Sequence, residues 1–315
     1  MRWLRPGAIA AVAALINLAA CTPPEPVPSV DQPLPEVVYL PEDEPKAVLI
    51  AVHGFNDHKG SFAWFGRYAA DRGYAVIAFD QQGFGENANA GRWPGTQTLI
   101  QDLRRRASTA KETWPDAPLY VIGESMGAAV AVSSFADDGE VEVDGLILSA
   151  PAVWGGEALN PFYRIVLSLS ATIAPQAQVT GSDLGKLASD NIEMLRALGR
   201  DPLYIRQTKI EAVAGLVELM DRARLAATML TSDVLMLTGN RDEIVPVAAS
   251  RSFRQLLQAE ECQSVVYENG WHLLLRDLER ELVWRDILAW LDDRTVVSGL
   301  GQPCGPMFEV AGGRS

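Results

Sequence analysis

The sequence predicts an α/β protein: a mostly parallel central sheet flanked by helices, with a helical cap inserted after its sixth strand. Three observations predict it. Short apolar runs recur along the chain, longer stretches with a helical apolar period lie between them, and the alternation breaks once, over about residues 152–231. Parallel strands are buried on both faces, so they read as continuous apolar runs rather than alternating ones. Alternation of such runs with helical patterns is the mark of βα units.

The strands expected on this ground are Ala47–Val52, Ala75–Phe79, Leu119–Ile122, Gly145–Ser149, Val234–Thr238 and Ser264–Tyr267. Helices are expected over Phe62–Arg72, Thr98–Thr113, Met126–Ala136, Val247–Gln258 and Arg276–Leu291. In the long break, Ile210, Val213, Ala214, Leu216, Val217 and Met220 keep a 3- to 4-residue apolar spacing, which is helical. The break is therefore read as a helical cap over the carboxyl edge of the sheet. The folded body is expected to run over 36–294, and no internal repeat occurs.

Composition narrows the function. The chain has 315 residues, 48% hydrophobic and 21% charged, enough for a large core. Its net charge of −13 argues against nucleic acid as a partner, because phosphate binding needs clustered Lys and Arg. The one basic cluster, Arg104-Arg105-Arg106, falls in a helical stretch and reads as a solvated face.

The ends carry a different kind of information. Arg2 and Arg5 precede a short apolar run, Ala8 to Ala20, too short to span a bilayer comfortably and shaped like a signal peptide. Leu18-Ala19-Ala20-Cys21 then resembles the lipobox of bacterial lipoproteins. That resemblance implies cleavage after residue 20, acylation of Cys21 and a membrane contact through this lipid anchor. It places the protein in the bacterial cell envelope, facing the periplasm, with Thr22 favouring the outer membrane. Residues 21–35 are Pro-rich and read as an extended tether. Residues 295–315, rich in Gly and Pro, read as an irregular tail. Cys262 and Cys304 remain as an even pair in an oxidising compartment. They either bond, pinning the tail, or stand as a buried thiol and a free one.

The chemistry centres on Gly123-Glu124-Ser125-Met126-Gly127, set between an apolar run and a small-residue helix. Acyl transfer needs a hydroxyl held clear of its neighbours. A sharp strand-to-helix turn provides that, and flanking glycines relieve its crowding. Ser125 is thus the expected nucleophile. A serine hydroxyl needs a base, and the chain holds three histidines. His53 follows the first long strand beside Gly54, where a backbone role is expected, and His58 sits in the polar loop beyond. His272 lies between the last strand and the last helix, at a strand's carboxyl end, and is the expected base. Asp242, after Val234–Thr238, is the expected acid that fixes its tautomer, with Glu243 the alternative. The oxyanion donors are expected to be the backbone amides of Met126 and Phe55, unless His53-Gly54 is only a tight turn.

Taken together, Gly123-Glu124-Ser125-Met126-Gly127, His53-Gly54-Phe55-Asn56-Asp57-His58, Phe79-Asp80-Gln81-Gln82-Gly83-Phe84-Gly85, Gly239-Asn240-Arg241-Asp242 and Gly270-Trp271-His272 resemble the monoacylglycerol lipase and lysophospholipase branch of the α/β-hydrolases, also labelled serine aminopeptidase S33-like. The resemblance spans about 36–294. It implies an α/β-hydrolase fold and a Ser-His-Asp hydrolase of carboxylic esters, acting on a small ester or lipid substrate such as a monoacylglycerol or lysophospholipid. It implies no cofactor and no metal, and says nothing of protein partners. Ala128, Gln82, Phe84 and Glu86-Asn87 depart from the family pattern but leave the triad positions in place. Asp80 reads as a loop-shaping residue. Trp154, Phe162, Tyr163 and Leu167 either line an acyl pocket or pack the cap on the body. Alternative readings are an aminopeptidase-like amide hydrolase, a cofactor-free haloperoxidase, a C–C hydrolase, or a non-catalytic envelope-binding module.

Overall fold

The computed structural model describes residues 33–136, 141–154, 170–180, 186–259 and 261–305. The expected signal peptide, Cys21 and most of the tether lie outside these residues, as do Phe162, Tyr163, Leu167 and the last ten residues. Among the described residues no helix is long and apolar enough to cross a membrane.

Among the described residues the central sheet has eight strands: β1 (Glu36–Tyr39), β2 (Ala47–Val52), β3 (Tyr74–Phe79), β4 (Leu119–Glu124), β5 (Gly145–Ser149), β8 (Asp233–Gly239), β9 (Cys262–Tyr267) and β10 (Gln302–Pro303). Their spatial order is β1-β3-β2-β4-β5-β8-β9-β10. The six inner strands run parallel, and β1 and β10 close the two edges antiparallel. All six expected strands are present, each within two residues of its expected ends.

Strand alternation divides the core into two layers. Val48, Ile50, Val52, Ile77 and Phe79 face one layer, with α2 (Thr96–Thr113), α3 (Met126–Phe135), α5 (Ile210–Ala226) and α6 (Val247–Arg254). Leu49, Ala51, Val76 and Ala78 face the other, with α1 (Ala63–Ala70) and α7 (Arg280–Asp293). Each fully buried Val, Leu, Ile or Phe in these layers contributes about 1.5–3 kcal/mol.

Among the described residues five strands precede the insertion, which follows β5 rather than a sixth. It is also not purely helical. It contains α4 (Ile192–Leu198) and a small antiparallel ribbon of β6 (Gln178–Thr180) and β7 (Gln207–Lys209). Its last helix, α5, leaves the insertion and joins the body: Leu219, Ala223 and Ala226 sit in the same buried layer as α3. A chain leaving β5 must return to the sheet before starting β8, and α5 is that crossover.

Two other expectations are revised. The arginine cluster is not a free solvated face. Arg104 Nε donates to the Ser134 carbonyl at 2.8 Å, Arg105 pairs with Asp102, and Arg106 pairs with Glu36 of β1. The tail is not wholly irregular either. Gln302–Pro303 pairs with β9, and Cys304 is disulfide-bonded to Cys262 with 5.3 Å between their Cα atoms.

Candidate active site

The turn from β4 into α3 puts Ser125 at φ 54°, ψ −112°, a backbone region that a side chain rarely adopts. Holding such a residue there costs about 1–3 kcal/mol, so the surroundings must enforce it. They do so through the backbone. Ser125 N donates to the Ser149 carbonyl at 2.9 Å, and the Ser125 carbonyl accepts from Ala128 N and Ala152 N. Gly127 is required by proximity, since a Cβ there would overlap the Val52 carbonyl, and one on Gly123 would overlap the start of α3.

Asp242 and His272 come from the loops after β8 and β9. These loops touch: a Cβ on Gly239 would overlap the Gly270 carbonyl. Across this contact His272 Nδ1 stands 2.8 Å from Asp242 Oδ2, and both side chains are buried. The other carboxylate oxygen, Oδ1, accepts from Ile244 N at 2.7 Å and Val245 N at 2.9 Å, so Asp242 is fixed before it meets the histidine. Glu243 points elsewhere, its Oε2 accepting from Leu187 N at 2.8 Å. Asp242, not Glu243, is therefore the carboxylate in contact with His272. Ser125 stands at the same carboxyl rim, two strands from Asp242 in the sheet. Among the described residues no hydrogen bond joins it to His272, as is common for such contacts before substrate arrives.

The other two histidines have structural partners. Buried His53 accepts from Gln81 N on Nε2, which leaves Nδ1 as the protonated nitrogen donating to the Gly54 carbonyl at 2.8 Å. Burial, opposed by that bond, lowers its pKa. His58 bonds Asp201 and caps the turn at Lys59–Phe62. Between them runs the loop bearing Phe55. Gly54 packs so close to the elbow that a Cβ on it would sit 3.5 Å from Ser125 Cβ. Asn56, at φ 65°, ties the loop to the insertion through Ile205 N and Thr208 Oγ1. Phe55 packs edge-on to Phe84. Asp80 holds the neighbouring loop, accepting from Lys59 N, Lys59 Nζ and Glu86 N. Burial alone would raise its pKa, but these bonds outweigh it and lower it.

A family model described as "Serine aminopeptidase, S33" matches residues 43–279. The chain belongs to this family. It is 26% identical over 257 residues to a monoacylglycerol lipase of Mycolicibacterium smegmatis, covering 81% of this chain and 91% of that one. Human monoglyceride lipase is 23% identical over 270 residues, covering 84% and 88% respectively. A solved structure of Paleococcus ferrophilus monoacylglycerol lipase matches with a TM-score of 0.73 at 20% identity, over 84% of this chain and 100% of that chain. Together these show the α/β-hydrolase fold.

This S33-family chain also carries a buried ionic cluster that sequence reading missed. Arg276 Nη2 donates to Asp57 Oδ2 at 2.6 Å and to Glu124 Oε2 at 2.7 Å. All three residues are at most 5% exposed. Burial would lower the guanidinium pKa, yet the two carboxylates raise it; burial raises that of Glu124. Beside the cluster, Asp277 accepts from Trp271 N and Ser189 Oγ, and burial pushes its carboxyl up to about 7. The insertion is stitched here as well, through Leu273 N to the Ala188 carbonyl, Asn191 Nδ2 to the Arg276 carbonyl and Leu278 N to Asp190 Oδ1. No local pattern announces the Arg276 contacts, because they join charged residues 219 and 152 positions apart in the chain.

Proposed function

We propose that this protein is a serine hydrolase of carboxylic esters, acting on monoacylglycerol- or lysophospholipid-like lipids through Ser125, His272 and Asp242. The observation that carries the reading is the buried 2.8 Å contact of His272 Nδ1 with Asp242 at the rim where the strained Ser125 turn also ends. With Nδ1–H given to Asp242, Nε2 is free to take a proton. Ser125 Oγ attacks the ester carbonyl carbon while its proton passes to His272. The oxyanion that forms accepts from the Phe55 and Met126 amides, neither of which donates to another protein group among the described residues. The tetrahedral species then expels the alcohol, protonated by His272. Water, deprotonated by the same imidazole, attacks the acyl-enzyme and releases the acid.

The lipid-ester preference draws on the relatives, which are named monoacylglycerol and monoglyceride lipases. An aminopeptidase would need insertion carboxylates to hold a substrate amine. Asp190 is engaged by Leu278 N, and Glu211 lies against Arg92 and Gln176. The envelope address, with acylated Cys21 as the anchor, belongs to the same proposal and rests on the sequence of residues 1–21. A fluorophosphonate probe should label the wild type and not Ser125→Ala. A panel of short acyl esters, monoacylglycerols, lysophospholipids and aminoacyl amides should give turnover on the esters. Absent labelling of folded wild type would overturn the proposal.

A further inference from the structure

We infer that Arg276 is a positioning residue that holds the three loops of the site in register, an inference that rests on the function proposed above. A single nitrogen of its guanidinium group, Nη2, reaches both Asp57 and Glu124. Asp57 is two residues beyond Phe55, Glu124 immediately precedes Ser125, and Arg276 is four residues beyond His272. The oxyanion loop, the nucleophile turn and the base loop, drawn from three separate parts of the chain, thus meet at one buried cation.

The contacts on either side of the cluster are arranged to transmit this hold. Asp57 Oδ1 accepts from His58 N at 2.9 Å, so its carboxylate is braced within its own loop. The carbonyl of Arg276 accepts from Asn191, and Arg276 N donates to the Leu273 carbonyl at 2.8 Å, which fixes the backbone between base and guanidinium. Glu124 is the last residue of β4 and is 1% exposed, so its side chain cannot swing to solvent. Acyl transfer is sensitive to displacements of about 1 Å among nucleophile, base and oxyanion donors, which can cost about 10²-fold in rate. A buried ion pair is a poor device for stability alone, since a well-packed apolar group often does as well. Its use in fixing a single arrangement accounts better for two acids and one base being buried behind the site.

The test compares Arg276→Met, Arg276→Lys, and the double variant Asp57→Asn with Glu124→Gln, which keeps the volumes and removes the charges. Each is checked for folding by its melting temperature and assayed on a soluble p-nitrophenyl ester. The positioning role predicts a kcat at least tenfold below wild type for Arg276→Met, with KM within about threefold, and partial recovery in Arg276→Lys. If Arg276→Met does not fold, the double variant is read in its place, with the same expected fall in kcat. A folded variant with kcat at the wild-type level would overturn the inference. Amide hydrogen exchange supplies a readout that needs no turnover. In the variants, exchange should rise in segments 53–58, 123–127 and 270–276, with α2 and α7 unchanged, and unaltered exchange in those three segments would also overturn it. An inactive and unlabelled wild type would instead refute the ester-hydrolase proposal, leaving exchange to decide whether Arg276 locks the loops.

Discussion

Asp242→Asn isolates one atom of the site. The carboxylate accepts three hydrogen bonds: Ile244 N and Val245 N at Oδ1, and His272 Nδ1 at Oδ2. Asparagine has one acceptor oxygen and one donor group in the same shape. Two backbone amides compete for the oxygen, so it must occupy the Oδ1 place, and the amide nitrogen then faces His272. Donor would meet donor unless the imidazole moves its proton to Nε2, the nitrogen that receives the Ser125 proton in the proposed mechanism. In a Ser-His-Asp triad this tautomer error costs about 10⁴ in kcat. At 1.36 kcal/mol per tenfold, that is about 5.4 kcal/mol of barrier. Binding contacts are untouched, so KM should stay within about threefold. The assay is steady-state hydrolysis of a p-nitrophenyl ester by the purified variant, with circular dichroism to confirm its fold. A folded Asp242→Asn protein retaining a tenth or more of the wild-type kcat would refute the assignment of Asp242.

Three further outcomes are expected. Burial holds the Asp277 proton up to about 7 in the folded chain, against 3.8 when unfolded, so the folded state keeps a proton that the unfolded state has released. This group's contribution is therefore greatest at low pH and is lost as pH rises from about 4 to 7; in Asp277→Asn, urea melts across that range should show a flatter dependence of stability on pH than wild type. Replacing Cys262 and Cys304 by Ser opens a loop of sequence separation 42, which chain entropy values at about 4 kcal/mol. Thermal melts should show the loss, while kcat should hold because the bond lies at the end of β9 away from His272. Cys21→Ser should leave the precursor uncleaved and free of acyl chains by mass spectrometry, and a normally matured variant would refute the anchor.

What could be read from the sequence follows from where each element sits. The six inner strands were legible because burial on both faces makes them continuous apolar runs. Glu36–Tyr39 was not, since an edge strand alternates in exposure and carries Glu beside two valines. Gln178–Thr180, Gln207–Lys209 and Gln302–Pro303 are short and largely polar, and only their partners make them strands. The apolar period of α5 was visible, but a period does not name the surface it covers, and that surface is α3 rather than a cap. The elbow was legible because steric crowding dictates glycine at fixed offsets from Ser125. Asp242 was the expected partner of His272 with Glu243 the alternative, and the coordinates place Asp242 against the imidazole and Glu243 on Leu187 N. Arg276 was seen only as the start of a helical stretch, whereas α7 begins at Arg280 and Arg276 points into the body. Its partners lie 219 and 152 residues away, a distance at which charge carries no local signature.

The two antiparallel edge strands bear on how this protein behaves in a crowd. An open sheet presents a row of unpaired amides and carbonyls at each side, a template on which another chain can dock and start aggregation. Here one border is only four residues long, and the other ends in Pro303, which has no amide proton to offer a newcomer. Pro303 adjoins Cys304, so the disulfide clamps this blunt border over β9. Cutting that clamp would bare the outer edge of β9 at Gln263 and Ser264, the two residues that β10 pairs, lengthening the border open to another chain without any damage to the core.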